Sequence, residues 1–473
     1  MPRFLGFSII LLSATAGSAQ AQALKAKVSI VPSSPAEIRV QAESAIPAQS
    51  WSFRNAFAGV LGLGDRVERF DAVSKPGVPI LVRKIAAGEY RSDEESTRFS
   101  YSVGLPLPSR PGAVSHTSWL NGDCGFLMLG DLLPLSQGEQ AVLVEFDLPP
   151  GWTVASAIIP NAKNQYLVAD PDSAVFFVGR SVRKVSRTVD AMDIDLLVSG
   201  EWPFADAEVM KAAVKVLKEY RALTRFRLKG KSVVMLAPLS LSQSTQQWRA
   251  ETRGSTVMIL LDPRAQVKNW IAQLAIIFTH EVFHLWVPNS LVLEGDYDWF
   301  FEGFTLYVAL LTALDLKLIS FQGYLDTIAR VYDSYLSYPD NLSLIEASEQ
   351  RWTSSAPLVY DKGMLVAFMY DLMTRYESKG KSKLADCYRS LFNPQAAGRA
   401  NANEVIIRIL GTPVSGNGFP GNYIESRKEI KLESFLPAYG LRVDSTGPHT
   451  HLTVSNEMDK DQHALLRSLG YRH

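Results

Sequence analysis

Cysteine and net charge are both scarce in this 473-residue chain. Lysine plus arginine and aspartate plus glutamate balance at 48 each. No global field therefore draws in nucleic acid or an acidic membrane. The two cysteines, Cys124 and Cys387, lie far apart in sequence. They exclude a disulfide framework and read as unpaired buried thiols. Past the first residues, no apolar run reaches the ~18 residues of a membrane-spanning helix. No internal repeat or low-complexity linker divides the chain. What is present is an ordinary globular composition, 47% hydrophobic. The length supports roughly three domains and a large core.

The opening MPRFLGFSIILLSATAGSAQAQ stands apart. Arg3 makes a short positive region, Leu5 to Ala16 an apolar stretch too short to span a bilayer, and Ala19-Gln20-Ala21 a small-x-small cleavage site. Residues 1–21 thus read as a secretory signal peptide cut after Ala21. The expected destination is the periplasm or the extracellular space. With no cysteine after the apolar stretch, no stable membrane anchor is expected.

From about residue 24 to 200 the pattern is β. EIRVQAE and TRFSYSVGL alternate apolar and polar residues, while QAVLVEFDLPPGW and DSAVFFVG are short apolar runs bounded by turn residues. A β-sandwich buries such strands. Near residue 200 the pattern changes. DAEVMKAAVKVLKEYRAL has helical spacing, and KSVVMLAP and STVMILLDP read as strands. VKNWIAQLAIIFTHEVFHLWV reads as one long helix stopped by Pro288, and WFFEGFTLYVALLTALDL as a second. The rest is helical almost to the end. The last stretch, DSTGPHTHLTVSNEMDKDQH, is polar and expected to be peripheral.

The chemistry concentrates in THEVFHLWVP. His280 and His284, four apart on a helix, share a face and can present two imidazole nitrogens to one metal. Glu281, about 100° round the helix, can reach a water held by that metal. Zinc suits such a site, with two nitrogens, one carboxylate oxygen and an open fourth position. A chance match to His-Glu-x-x-His arises in roughly one chain in 100 of this kind. Of seven histidines, only these two lie between residues 117 and 448, and both sit on an apolar helix. Uncoordinated imidazoles would be costly to bury there. A third ligand is required. The positions that a His-x-x-Gly-x-x-His continuation would use hold Val287 and Ser290. Glu302, inside the apolar WFFEGFTLYV, is the leading candidate, and Glu294, Asp296 and Asp298 in the preceding loop compete. No lysine or arginine falls between Lys268 and Lys317 to pair with Glu302 instead. Tyr360, after Pro357 and before a helical run, reads equally as an oxyanion donor or a core tyrosine.

Together these segments resemble the glycyl aminopeptidase family of gluzincin metallopeptidases. HEVFHLW is similar to the family's zinc helix, WFFEGFTLYV to its Glu-Gly-Phe-Thr helix, VYDKGMLVAFMYDLMTR to its Tyr-x-Lys-Gly helix, and AETRGST to the segment before the edge strand of its cleft. The resemblance implies zinc held by His280, His284 and Glu302, one ion per chain. It also implies Glu281 as general base, Tyr360 as oxyanion donor, and Glu251 as the anchor of a peptide's free amino group. The implied fold is α+β and multidomain. An N-terminal β-sandwich would span 24–185, a thermolysin-like catalytic domain 186–335, a helical C-terminal domain 336–443 and a polar tail 444–473. Two features differ from the family: Trp248, Arg249 and Thr252 stand where it has small residues and histidine, and only about 30 residues follow Val443, too few for its PDZ module. The expected function is a zinc-dependent peptidase, an aminopeptidase acting on peptides. The alternatives are a secreted peptide-binding protein with a structural zinc, and a zinc hydrolase of non-peptide amides or esters.

Overall fold

The computed structural model describes residues 22–31, 36–74, 77–108, 111–135, 141–239, 248–263, 267–393, 400–412 and 418–472. The signal peptide read in residues 1–21 lies outside them.

The N-terminal part contains an eight-stranded sheet and a four-stranded sheet. In the first, Glu37–Ser52 and Glu89–Gly104 pair antiparallel along most of their length. Ile38, Val40 and Ala42 point inward, as the alternation predicts. The smaller sheet is built on Cys124–Met128 and Val175–Arg180. Every residue of Cys124–Met128 is buried. Its two faces serve different partners. Leu127, Phe176 and Val178 pack with the core of the larger sheet. Phe126, Met128, Val175 and Phe177 pack with Leu197, Met235 and Met258 of the next sheet. Burial on both sides explains why DSAVFFVG is continuously apolar rather than alternating.

That next sheet has five strands: β1 (Arg183–Val189), β2 (Ala191–Val198), β3 (Lys229–Pro238), β4 (Trp248–Arg253) and β5 (Thr256–Leu261). Their order is β1-β2-β3-β5-β4, so β4 is an edge strand. The changeover between the two parts falls just before β1, whose residue Arg183 already pairs with Val198. The sequence boundary at 185 cuts through this strand. Helices α1 (Asp206–Thr224), α2 (Val267–Phe283), α3 (Thr305–Asp315), α4 (Phe321–Leu336), α5 (Leu344–Glu349) and α6 (Ala356–Glu377) follow.

One continuous core runs from Val189 to Leu469 and takes in the sheet, α2, α3, α6 and the C-terminal elements. Among the described residues no separate core marks off residues 336–443. The tail is not peripheral either. Leu441–Asp444 and His451–Val454 form a hairpin, and Lys460–Ser468 a helix. Leu452, Leu465, Leu466 and Leu469 are buried in the main core. Four leucines among many polar residues suffice to dock a segment whose overall composition is hydrophilic. Cys124 and Cys387 are free and buried, as expected. Among the described residues no helix is long and apolar enough to cross a membrane.

Candidate active site

Helix α2 ends at Phe283, one turn earlier than its apolar run suggests. The chain then tightens, with the His284 amide bonding Glu281 O at 3.2 Å and the Leu285 amide bonding Val282 O at 3.2 Å. Pro288 has no N–H to continue the helical ladder. Tyr220 on α1 steadies this end by donating to Thr279 O at 2.7 Å. His280, Glu281 and His284 are all buried.

Glu302 lies in a π-helical turn, Trp299–Phe304, that runs directly into α3. Such turns inside helices often mark functional positions. Two glycines set its distance from α6. A Cβ on Gly303 would lie 2.5 Å from the Gly363 Cα, and one on Gly363 would lie 2.9 Å from Trp299 O. Only glycine permits this approach. The pair thereby brings Glu302 and Tyr360, which sit beside these glycines in their motifs, to one cavity.

His280 Nε2 and His284 Nε2 are 3.0 Å apart. Glu302 Oε2 lies 3.2 Å from the first and 3.5 Å from the second. A tetrahedral zinc with bonds of ~2.0–2.1 Å separates its ligand atoms by about 3.3 Å. The three donors therefore fit the ion. His284 Nδ1 lies 2.9 Å from Val287 O, which holds the proton on Nδ1 and turns the Nε2 lone pair inward. His280 Nδ1 is buried with no hydrogen-bond partner among the described residues. Among those residues, His280, His284 and Glu302 form the one group of three donors able to hold a metal. Glu294, Asp296 and Asp298 do not join it.

Charge in the site is unevenly compensated. Burial pushes the Glu281 carboxyl up to about 7, and Thr252 Oγ1 donates to its Oε2 at 2.8 Å. Burial also opposes ionisation of Glu302, yet Arg351 and His284 hold its carboxyl well below the usual range. Arg351 was not foreseen. Its Nη2 donates to Glu302 Oε1 at 2.7 Å and to the Tyr360 hydroxyl at 2.8 Å, and its Nη1 donates to Asp298. The basic partner denied to Glu302 by its own stretch of sequence comes from 49 residues downstream. Tyr360 is half-buried, and desolvation together with the nearby Glu302 raises the pKa of its phenol well above the usual value.

The same cavity, about 490 Å³, is lined by His280, Glu281, His284, Glu302, Tyr360 and Glu251. Phe57, Ala58 and His116 reach it from the N-terminal sheets, and Trp248 and Trp352 also line it. Glu251 stands on edge strand β4. Arg253 Nε donates to its Oε1 at 2.6 Å, and His116 Nδ1 meets its Oε2. Burial opposes the charge of Glu251, but Arg253 and His116 lower its pKa. Arg249 does not take part and instead donates to Trp248 O. Thr252, in the place of the family's histidine, ties β4 to α2 by donating to Glu281 O at 2.8 Å. The contacts of His116, Thr252 and Arg351 all join segments distant in sequence, and no local motif signals them.

The sequence matches no family model and no curated protein. Its fold does match solved structures. An aminopeptidase N family protein from Idiomarina loihiensis superposes with a TM-score of 0.76 at 16% identity, covering 93% of this chain and 82% of that one. The M1 zinc metallopeptidase from Deinococcus radiodurans superposes with a TM-score of 0.53 at 13% identity, covering 86% of this chain and 94% of that one. A mutant of the Deinococcus enzyme, with the same TM-score, identity and coverage, has been crystallised with a Tyr-Ser-Ala substrate. At these identities the likeness establishes a shared fold.

Proposed function

We propose that the chain is a zinc-dependent peptidase of the gluzincin type, acting as an aminopeptidase on peptide substrates. The observation that carries this is the convergence of His280 Nε2, His284 Nε2 and Glu302 Oε2 to within 3.5 Å of one another. Glu281 and Tyr360 line the same cavity. Zinc held there supplies a water acidified to a pKa of about 7 and a Lewis acid for the scissile carbonyl. Glu281 takes the proton of the attacking water and passes it to the leaving amine. A structural metal site needs no such base. Tyr360, its phenol pKa raised by desolvation and by Glu302, donates to the oxyanion of the tetrahedral intermediate. Thr252 Oγ1 lies 2.8 Å from both Glu281 Oε2 and Glu281 O, so its one proton is shared between them and holds the Glu281 carboxylate close to β4. Glu251, in the same cavity, receives the ammonium of the substrate's first residue. The incoming ammonium takes over the oxygen that His116 now faces.

The test is a panel of fluorogenic peptides with free and acetylated N-termini, assayed with and without a chelator. Cleavage that is abolished by the chelator and restored by zinc supports the reading. Absence of cleavage across the panel, in protein carrying one zinc per chain, returns the chain to the peptide-binding alternative.

A further inference from the structure

Arg351 occupies an unusual place. Its side chain is 11% exposed and is surrounded by rings, its guanidinium carbon lying 5.6 Å from the centroid of Phe301, 4.5 Å from that of Trp352 and 5.5 Å from that of Tyr360. Cation–π contacts of this kind restrain a guanidinium. One nitrogen, Nη2, then serves two acceptors, Glu302 Oε1 at 2.7 Å and the Tyr360 oxygen at 2.8 Å. The other, Nη1, is held by Asp298.

Two consequences follow. Glu302 has its Oε1 occupied, so only Oε2 faces the imidazoles. The Tyr360 oxygen is an acceptor in this contact, so its own proton must point elsewhere. Among the described residues the hydroxyl has no other hydrogen-bond partner, and its side chain lines the cavity. A phenol that accepts from a cation is polarised and becomes the stronger donor.

The geometry points to Arg351 as a positioning residue for the hydrolytic step: it holds the Tyr360 hydroxyl with its proton directed at the substrate oxyanion. The role rests on the peptidase reading above. It acts through Tyr360, not through contact with the substrate.

Arg351→Ala strips Asp298 and Glu302 of their counterion and risks unfolding, so Arg351→Lys is the working variant. Lysine keeps the charge beside Glu302 but has no planar fork to serve three acceptors at once. Wild type, Arg351→Lys, Tyr360→Phe and the double variant are compared in three ways. These are bound zinc by elemental analysis, kcat and KM on one cleaved peptide, and affinity for a phosphinate pseudopeptide that mimics the tetrahedral intermediate.

All four proteins should carry one zinc per chain. Tyr360→Phe should lose about 10²-fold in kcat, the usual cost of one oxyanion donor. Arg351→Lys should lose about tenfold or more in kcat with KM nearly unchanged, as a weakened charge-assisted bond implies. The double variant should be no slower than Tyr360→Phe, because Arg351 has nothing left to position. Phosphinate affinity should follow kcat. Losses that multiply in the double variant, or loss of zinc from Arg351→Lys, overturn the inference while the peptidase reading stands. A zinc-loaded wild type that neither cleaves peptides nor binds the phosphinate overturns that reading and this inference with it.

Discussion

Two glutamates with the same kinds of partner face one cavity, Glu302 buried and Glu251 half-buried. Glu302 has an arginine on one oxygen and histidines on the other. Glu251 also has an arginine on one oxygen and a histidine on the other. The difference is one imidazole and its direction. At Glu302 two Nε2 atoms converge with the carboxylate to a point, which leaves room for an ion. At Glu251 the single His116 meets the carboxylate directly, and the charges close on themselves. A carboxylate with an arginine and a histidine is therefore no metal site by composition. It becomes one when three lone pairs share a centre. Both glutamates keep their charge despite desolvation because an arginine lies beside each.

That contrast can be broken at either end. The largest effect is expected from His280→Ala or His284→Ala. Either removes a converging nitrogen, so zinc content should fall from one per chain to near zero and peptide cleavage should disappear. This loss should exceed the roughly 10–100-fold that outer-shell changes cost at metal sites. Full zinc retained by both variants would refute the ligand assignment. Next is Glu281→Gln, which should keep the zinc and the fold but lower kcat by about 10²–10⁴. Wild-type rates in that variant would hand the base role to another group.

At the other end the effects should be smaller and confined to specificity. Glu251→Ala should reduce the preference for free over acetylated N-termini by about ten- to a hundredfold in kcat/KM, the worth of a charge-assisted bond. Equal rates for the two peptides in wild type would instead mark an endopeptidase. The smallest effect is expected from His116→Ala. It frees one Glu251 oxygen for the incoming ammonium, and so should raise the preference for a free N-terminus by about two- to fivefold, in keeping with the modest worth of one partly exposed polar contact. A lower preference in this variant would mean that His116 helps hold the substrate. All five substitutions can be read against the zinc content of the same preparations, which keeps metal loss apart from altered recognition.

Much of this was legible in the residues. His280, Glu281 and His284 are four consecutive positions apart at most, so helix geometry alone brings them together. Glu302 was traceable because an acid in a wholly apolar stretch needs a partner. The free cysteines and the β-to-mixed transition near residue 200 were also readable. Averages over windows hide the rest. The tail's four buried leucines were masked by its polar neighbours, and a helix expected to run to Val287 ends at Phe283.

The residues alone placed His280, Glu281 and His284 on one helix, since spacing on a helix is a local property and each candidate ligand carries its chemistry in its own side chain. The tertiary structure alone decided how each acid is compensated. His116 crosses from the N-terminal sheets, Thr252 reaches from an edge strand to α2, and Arg351 arrives from beyond α5. A buried charge takes its partner from whatever lies beside it in space. Chain spacing carries no record of that neighbour, so only the folded packing separates a carboxylate placed among three converging donors from one closed off by its partners.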